Sequence, residues 1–143
     1  MAKQTEDIYR SLAKVFLPED ILDHFDVVGF EEVVTGKTFF GDYPEKELHL
    51  HLDEKDSLLY RNRGYRPNGF TEEICVHDFP IRDRKSILNV RRRRWISPDG
   101  HNVVVNYGEL LGANGTMFSR EFAAFLNPNR SLGLISSDKN VVF

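Results

Sequence analysis

The apolar positions of this chain change period several times. Ile8, Leu12, Val15 and Phe16 recur at helical spacing, which predicts an amphipathic helix over 6–16. Pro18 then opens an acid-led segment, Glu19 to Phe25; proline at a first helical position with acids in the first turn predicts a second, short helix. Val27 to Val34 is rich in β-branched residues and reads as a strand or as the end of that helix, with Thr35-Gly36-Lys37 as a turn and Gly41 to Pro44 as a loop. Glu47 to Asp53 alternates cleanly, with Leu48, Leu50 and Leu52 on one face, and predicts a half-buried strand.

Further on, residues 60–71 are basic, carry Tyr60 and Tyr65, and are rich in Gly, Pro and Asn, which predicts a loop. Glu72 to Phe79 reads as a strand ended by Pro80. A second strand spans 86–96, Ser97 to His101 forms a hairpin turn, and Asn102 to Tyr107 returns. Gly112 to Gly115 is a loop. Ser119 is placed to cap a helix over 120–126, whose Phe122, Phe125 and Leu126 share a face. Residues 128–143 lack this periodicity and read as a tail, or as a late strand through Val141-Val142-Phe143. The predicted class is α+β: short N-terminal helices, an antiparallel sheet with a ribbon-like hairpin, and a C-terminal helix, all within a single domain over 1–127.

An apolar share of 41 % with eleven Phe excludes a disordered composition. No apolar run approaches the ~20 residues of a membrane span, so no membrane association is expected. No secretory signal is visible at the N-terminus, and the one cysteine, Cys75, fits a reducing cytoplasm.

Charge changes the picture more. Residues 1–57 hold 6 Lys+Arg against 14 Asp+Glu, a net of −8, while residues 61–94 hold 10 against 4, a net of +6. The acidic half either faces a partner protein or shields the basic half. The centre of the basic region is Arg91-Arg92-Arg93-Arg94, closed by the only tryptophan, Trp95. Adjacent guanidinium groups repel, so a fold keeps them where solvent, acids or an anionic partner screen them. On an extended strand they would spread over roughly 13 Å, enough to meet more than one phosphate. Strict alternation puts Leu88, Val90, Arg92 and Arg94 on one face, the core side, and Arg91, Arg93 and Trp95 on the other. Arg91 and Arg93 are then the outward pair, and a core position for Trp95 requires a bulge or twist near the strand end. Arg61, Arg63 and Arg66, interleaved with Tyr60 and Tyr65, form a second basic-aromatic segment suited to nucleic acid. Arg84 and Lys85 add field on the turn before the arginine strand.

Metal and catalytic chemistry find little support. Cys75, His77 and His101 are too few and unsuitably spaced for a tetrahedral site. His49 and His51 share a strand face with Asp53 and read as a solvated sheet face. Cys75 reads as a small buried hydrophobe, and a Cys75–His77 pair lacks an orienting third group. No cofactor, metal or catalytic activity is expected.

From Val76 onward the order of features is specific. Val76-His77-Asp78-Phe79-Pro80-Ile81 leads into a charged turn, a strand ending Arg91 to Trp95, a hairpin, and the helix Ser119 to Leu126. This order resembles the N-terminal region of bacterial insertion-sequence transposases of the zinc-ribbon-bearing DDE type, in particular their ISAon-type N-terminal proteins. Asp78-Phe79-Pro80 matches that family's short segment ahead of the strand, and Arg91 to Trp95 matches its Arg-rich, aromatic strand end. The resemblance covers about residues 74–126 and, more loosely, 17–73. The family's ribbon holds zinc through two Cys pairs. The corresponding places, near Tyr60 to Arg66 and Ser97 to Asn102, hold no cysteine, so the resemblance implies that packing replaces zinc, with Phe70, Phe79, Trp95 and Tyr107 as candidates. The family's three-carboxylate catalytic half has no counterpart here. The resemblance therefore implies a non-catalytic DNA-recognition protein of a mobile element, contacting transposon-end duplex and working with a separately encoded DDE transposase. The alternative is an assembly module, a homodimer or partner subunit that does not itself bind DNA.

Overall fold

The structure, a computed structural model, describes residues 2–18, 20–108 and 118–126. The expected loop at 112–115 and the tail 128–143 lie outside the described residues. Helix α1 (Ala2–Phe16) and the short α2 (Ile21–His24) precede a long hairpin of β1 (Phe25–Phe40) and β2 (Tyr43–Glu54). Then come α3 (Leu58–Asn62), β3 (Arg66–Phe70), β4 (Ile74–Ile81), β5 (Arg84–Arg91), β6 (Arg93–Ile96), β7 (Asn102–Val104) and α4 (Arg120–Leu126). The α+β class and the C-terminal helix are as the sequence predicts.

The strands form two sheets, one ordered β1-β2-β5-β4 and a smaller one ordered β3-β6-β7. All pairs are antiparallel except β2 with β5, which run parallel with Leu50 opposite Leu88 and Asp53 opposite Arg91. The sheet is mostly antiparallel, as expected, and this seam is its one parallel pairing among the described residues. β5 sits inside the sheet, and Ser86 to Val90 are buried on both faces, as suits a strand covered on either side.

The alternation of β2 fixes its faces. Leu50 and Leu52 join Ile74 and Val76 of β4 and Leu88 and Val90 of β5, and Leu17, Ile21, Leu22 and Phe25 close over them. Eight of those ten side chains are buried and form the main core, with Leu50, Ile74, Ala13 and Tyr107 partly buried at its margin. Burying a side chain of this type stabilises the fold by about 1.5–3 kcal/mol. α4 is tied to the outer strand β4. The buried Asp78 accepts a hydrogen bond from Ser119 Oγ at 2.7 Å, Ser119 N–H donates to His77 O at 2.7 Å, and Ser119 Oγ accepts the Phe122 N–H at 3.3 Å as the helix cap. Phe122 and Phe125 then pack on Phe79 at ring distances of 5.2 and 5.5 Å.

Several local expectations are corrected. Thr35 to Lys37 is not a turn but a bulge within β1, where the register slips between Val34 and Thr38. Thr35 Oγ1 donates to Glu45 Oε2 at 2.8 Å and accepts the Lys37 N–H at 3.2 Å, while Gly36 takes a φ of 87°. Residues 60–71 are not a loop. Ser57 Oγ accepts the Tyr60 N–H at 3.2 Å and starts α3, and β3 carries Pro67 on the outer edge of the small sheet, where the missing donor costs no ladder bond. Pro80 lies inside β4, at a register break on another outer strand. Cys75 is exposed rather than buried, its thiol donating to Asn89 Oδ1 at 3.1 Å.

Candidate nucleic-acid interface

The arginine strand breaks at Arg92. Thr71 takes both backbone groups of that residue: Arg92 N–H donates to Thr71 Oγ1 at 3.1 Å and Arg92 O accepts the Thr71 N–H at 2.8 Å. This break ends the large sheet and begins the small one, and it turns Trp95 into the interior, 1 % exposed. Trp95 lies 5.4 Å from the ring of Tyr60, which lies 4.9 Å from Tyr65. A Cβ on Gly64 would meet Pro98 at 3.4 Å, so the α3–β3 connection and the β6–β7 turn touch. These are the two places named above for cysteine pairs, and aromatic rings join them here. Of the expected packing residues, Trp95 belongs to this small core. Phe79 instead holds α4, and Tyr107 packs 5.2 Å from Phe25 in the main core.

The expected outward pair is occupied. Arg91 clamps Asp53 through Nε to Oδ1 at 2.7 Å and Nη2 to Oδ2 at 2.6 Å. Arg93 donates from Nε to Glu54 O at 2.9 Å and from its backbone N–H to Glu54 Oε1 at 2.8 Å. The two guanidinium carbons stand 4.5 and 4.9 Å from the centre of the Phe70 ring, a cation–π arrangement on one aromatic residue. Phe70 thus serves the arginine pair rather than the small core. Glu54, 5 % exposed, is satisfied on both oxygens, the second accepting from Tyr107 Oη. Burial, and then the Glu54 hydrogen bond, push the Tyr107 hydroxyl well above its ordinary pKa.

Three of the other seven basic candidates are also compensated. Arg61 Nε donates to both carboxylate oxygens of Asp56, at 2.9 and 3.1 Å, and holds the Asp56 carboxyl below its ordinary pKa. Arg84 pairs with Glu32 and Asp83, and Lys85 with Glu45 at 2.5 Å. The Lys85 hydrogen bond is the main cause of the lowered Glu45 pKa, with Thr35 second, and burial opposes them. The acids of the N-terminal half therefore screen much of the basic half.

Arg63, Arg66, Arg92 and Arg94 differ: among the described residues none has a carboxylate at ion-pair distance. Arg63, Arg66 and Arg94 are also exposed. Arg66 pairs with Ile96, and Ile96 with Asn102, so these residues share the face of the small sheet opposite Trp95, and Arg94 follows by alternation. Asn68 Nδ2 donates to Asn102 Oδ1 at 3.1 Å across that face. Diagonal neighbours on adjacent strands stand about 7–8 Å apart, which lets the long side chains of Arg66 and Arg94 reach neighbouring phosphates. Arg63 caps the C-terminus of α3 just ahead of β3.

The opposite face of the large sheet is a polar network. His51 sits between Glu31 at 3.4 Å and Glu73 at 3.3 Å, and His49 contacts Glu47 at 3.0 Å and Asn89 at 3.1 Å. No group of three or more His, Cys, Asp or Glu is arranged to hold a metal among the described residues. Among them, too, no helix is long and apolar enough to cross a membrane. The functional residues that sequence reasoning missed are the partners: Asp53, Glu54 and Thr71. Asp53 carried a signal, since it ends the alternating strand on the face of His49 and His51. No family model, curated protein or solved structure matches the chain.

Proposed function

We propose that this chain is a non-catalytic DNA-binding protein of the cytoplasm that grips duplex phosphates through the outer face of its small sheet and serves a separately encoded catalytic transposase. The single observation that carries the reading is that Arg63, Arg66, Arg92 and Arg94 have no carboxylate at ion-pair distance among the described residues, while Arg61, Arg84, Lys85, Arg91 and Arg93 are held by acids or backbone. Arg66 and Arg94 share one face of the small sheet; unscreened arginines so placed favour a polyanion, and phosphate contact gives position without base readout. The resemblance of residues 74–126 to transposase N-terminal regions supports the same partner. On that reading, the small aromatic core of Trp95, Tyr60 and Tyr65 does the packing work expected in place of zinc.

The test is duplex binding at two salt concentrations. Four phosphate contacts predict a log–log slope of about −3.6, and an affinity loss of about a hundredfold between 50 and 200 mM salt. Arg66→Ala with Arg94→Ala should flatten the slope by about 1.8, whereas Arg84→Ala should leave it within about 0.3. A wild type that fails to bind duplex at low salt sinks the DNA reading. Co-purification with a DDE transposase in the absence of DNA would then favour an assembly module.

A further inference from the structure

An isolated helix of about 12–15 residues is marginal in water. α1 has 15 residues, and two of its ties to the rest of the chain lie in its C-terminal half. Ala13 rests against the core, and Arg10 Nη2 donates to Leu22 O at 3.1 Å. The far side carries Ile8, Leu12 and Val15, 55, 49 and 77 % exposed, as a stripe at i, i+4 and i+7. Gln4, Asp7, Ile8, Ser11, Leu12 and Val15 line a shallow groove along it. At 100° per residue, Asp7, Ser11 and Lys14 fall within about 60° of arc on one flank of the stripe. Among the described residues neither Asp7 nor Lys14 has an ion-pair partner.

We propose that α1 is a dimer interface, its apolar stripe packed antiparallel against α1 of a second copy. The charge pattern selects that occupant and that direction. In a two-fold antiparallel helix pair, each flank meets the same flank of the other helix in reverse order. A crossing point between Arg10 and Ser11 sets Asp7 against Lys14 of the second copy and Lys14 against its Asp7. Two ion pairs then close over an apolar contact made by Ile8 and Leu12, and the small Ser11 lets the helices approach. The helix is thus complementary to itself when reversed. This surface is separate from the small sheet, and the inference does not rest on DNA binding.

The test is analytical ultracentrifugation of the full chain, with far-UV circular dichroism to confirm that each variant keeps its sheet. Wild type should be a dimer at micromolar concentration. Leu12→Glu places a charge in the contact and should weaken it more than about a hundredfold. Lys14→Glu alone, or Asp7→Lys alone, should weaken it about tenfold at low salt, and the two together should recover wild-type affinity within about threefold. A monomeric wild type overturns the proposal, as does a double charge reversal that stays as weak as either single one.

Discussion

Trp95 is the residue on which the small sheet should stand or fall. It is 1 % exposed, and its ring, with Tyr60 and Tyr65, joins the α3–β3 connection to the strand that carries Arg94. Trp95→Ala withdraws about 150 Å² of apolar surface from burial, about 4 kcal/mol at 25 cal/mol per Å², inside the range of about 3–5 kcal/mol for such truncations. With a urea dependence of about 2 kcal/mol per M, the unfolding midpoint should fall by about 2 M. Urea titration followed by far-UV circular dichroism measures the shift in both proteins. Because Trp95 is the only tryptophan, wild-type fluorescence reports on the small sheet by itself. Its transition should coincide with the dichroism if Arg92 and Thr71 couple the two sheets. A midpoint shift under about 0.5 M, near 1 kcal/mol, would refute the claim that aromatic packing holds the small sheet together.

Other expectations follow from single contacts. Burial raises the Asp78 pKa above its ordinary 3.8 in the folded state, so the folded chain holds that proton more tightly than the unfolded one and stability falls as pH rises from about 4 through the raised value. Asp78→Asn, which still accepts from Ser119, should therefore gain in melting temperature relative to wild type at pH 7 over pH 4; an equal difference at both would exclude the linkage. Tyr107→Phe leaves the buried Glu54 short of one donor and should cost about 1.5–3 kcal/mol by denaturant unfolding, and a neutral change would show that the hydroxyl is dispensable. Asp53→Asn releases Arg91 from its clamp and should steepen the salt dependence of duplex binding by about 0.9, with tighter binding at low salt. Weaker binding in that variant would assign Arg91 to the fold alone.

Local pattern made part of this molecule legible. Leu48, Leu50 and Leu52 announced β2 and its buried face, and Ser119 announced α4, because those signals lie within a few residues. The parallel seam was not legible, since Asp53 and Arg91 stand 38 residues apart and alternation does not say which strand lies beside which. β3 was hidden by Pro67 and Gly69, which an outer strand tolerates. The basic site was half legible. Arginines are visible in sequence, but which of them is free depends on Asp53, Glu54 and Glu32, which stand 38, 39 and 52 residues from the arginines they hold. The break at Arg92 has the same origin in Thr71.

The outer strand β1 has one more consequence. It is 16 residues long, it flanks a sheet on one side only, and Val28, Phe30, Val34 and Phe40 stand exposed on it. Such an edge invites fibril-like stacking. The register slips around Val28 and at 35–37 leave Gly29 to Val34 as its longest unbroken run. Two copies of that run laid antiparallel about its centre would set Glu31 against Glu32, acid facing acid. The chain thus carries its own gatekeepers against aggregation on the side where it is most adhesive.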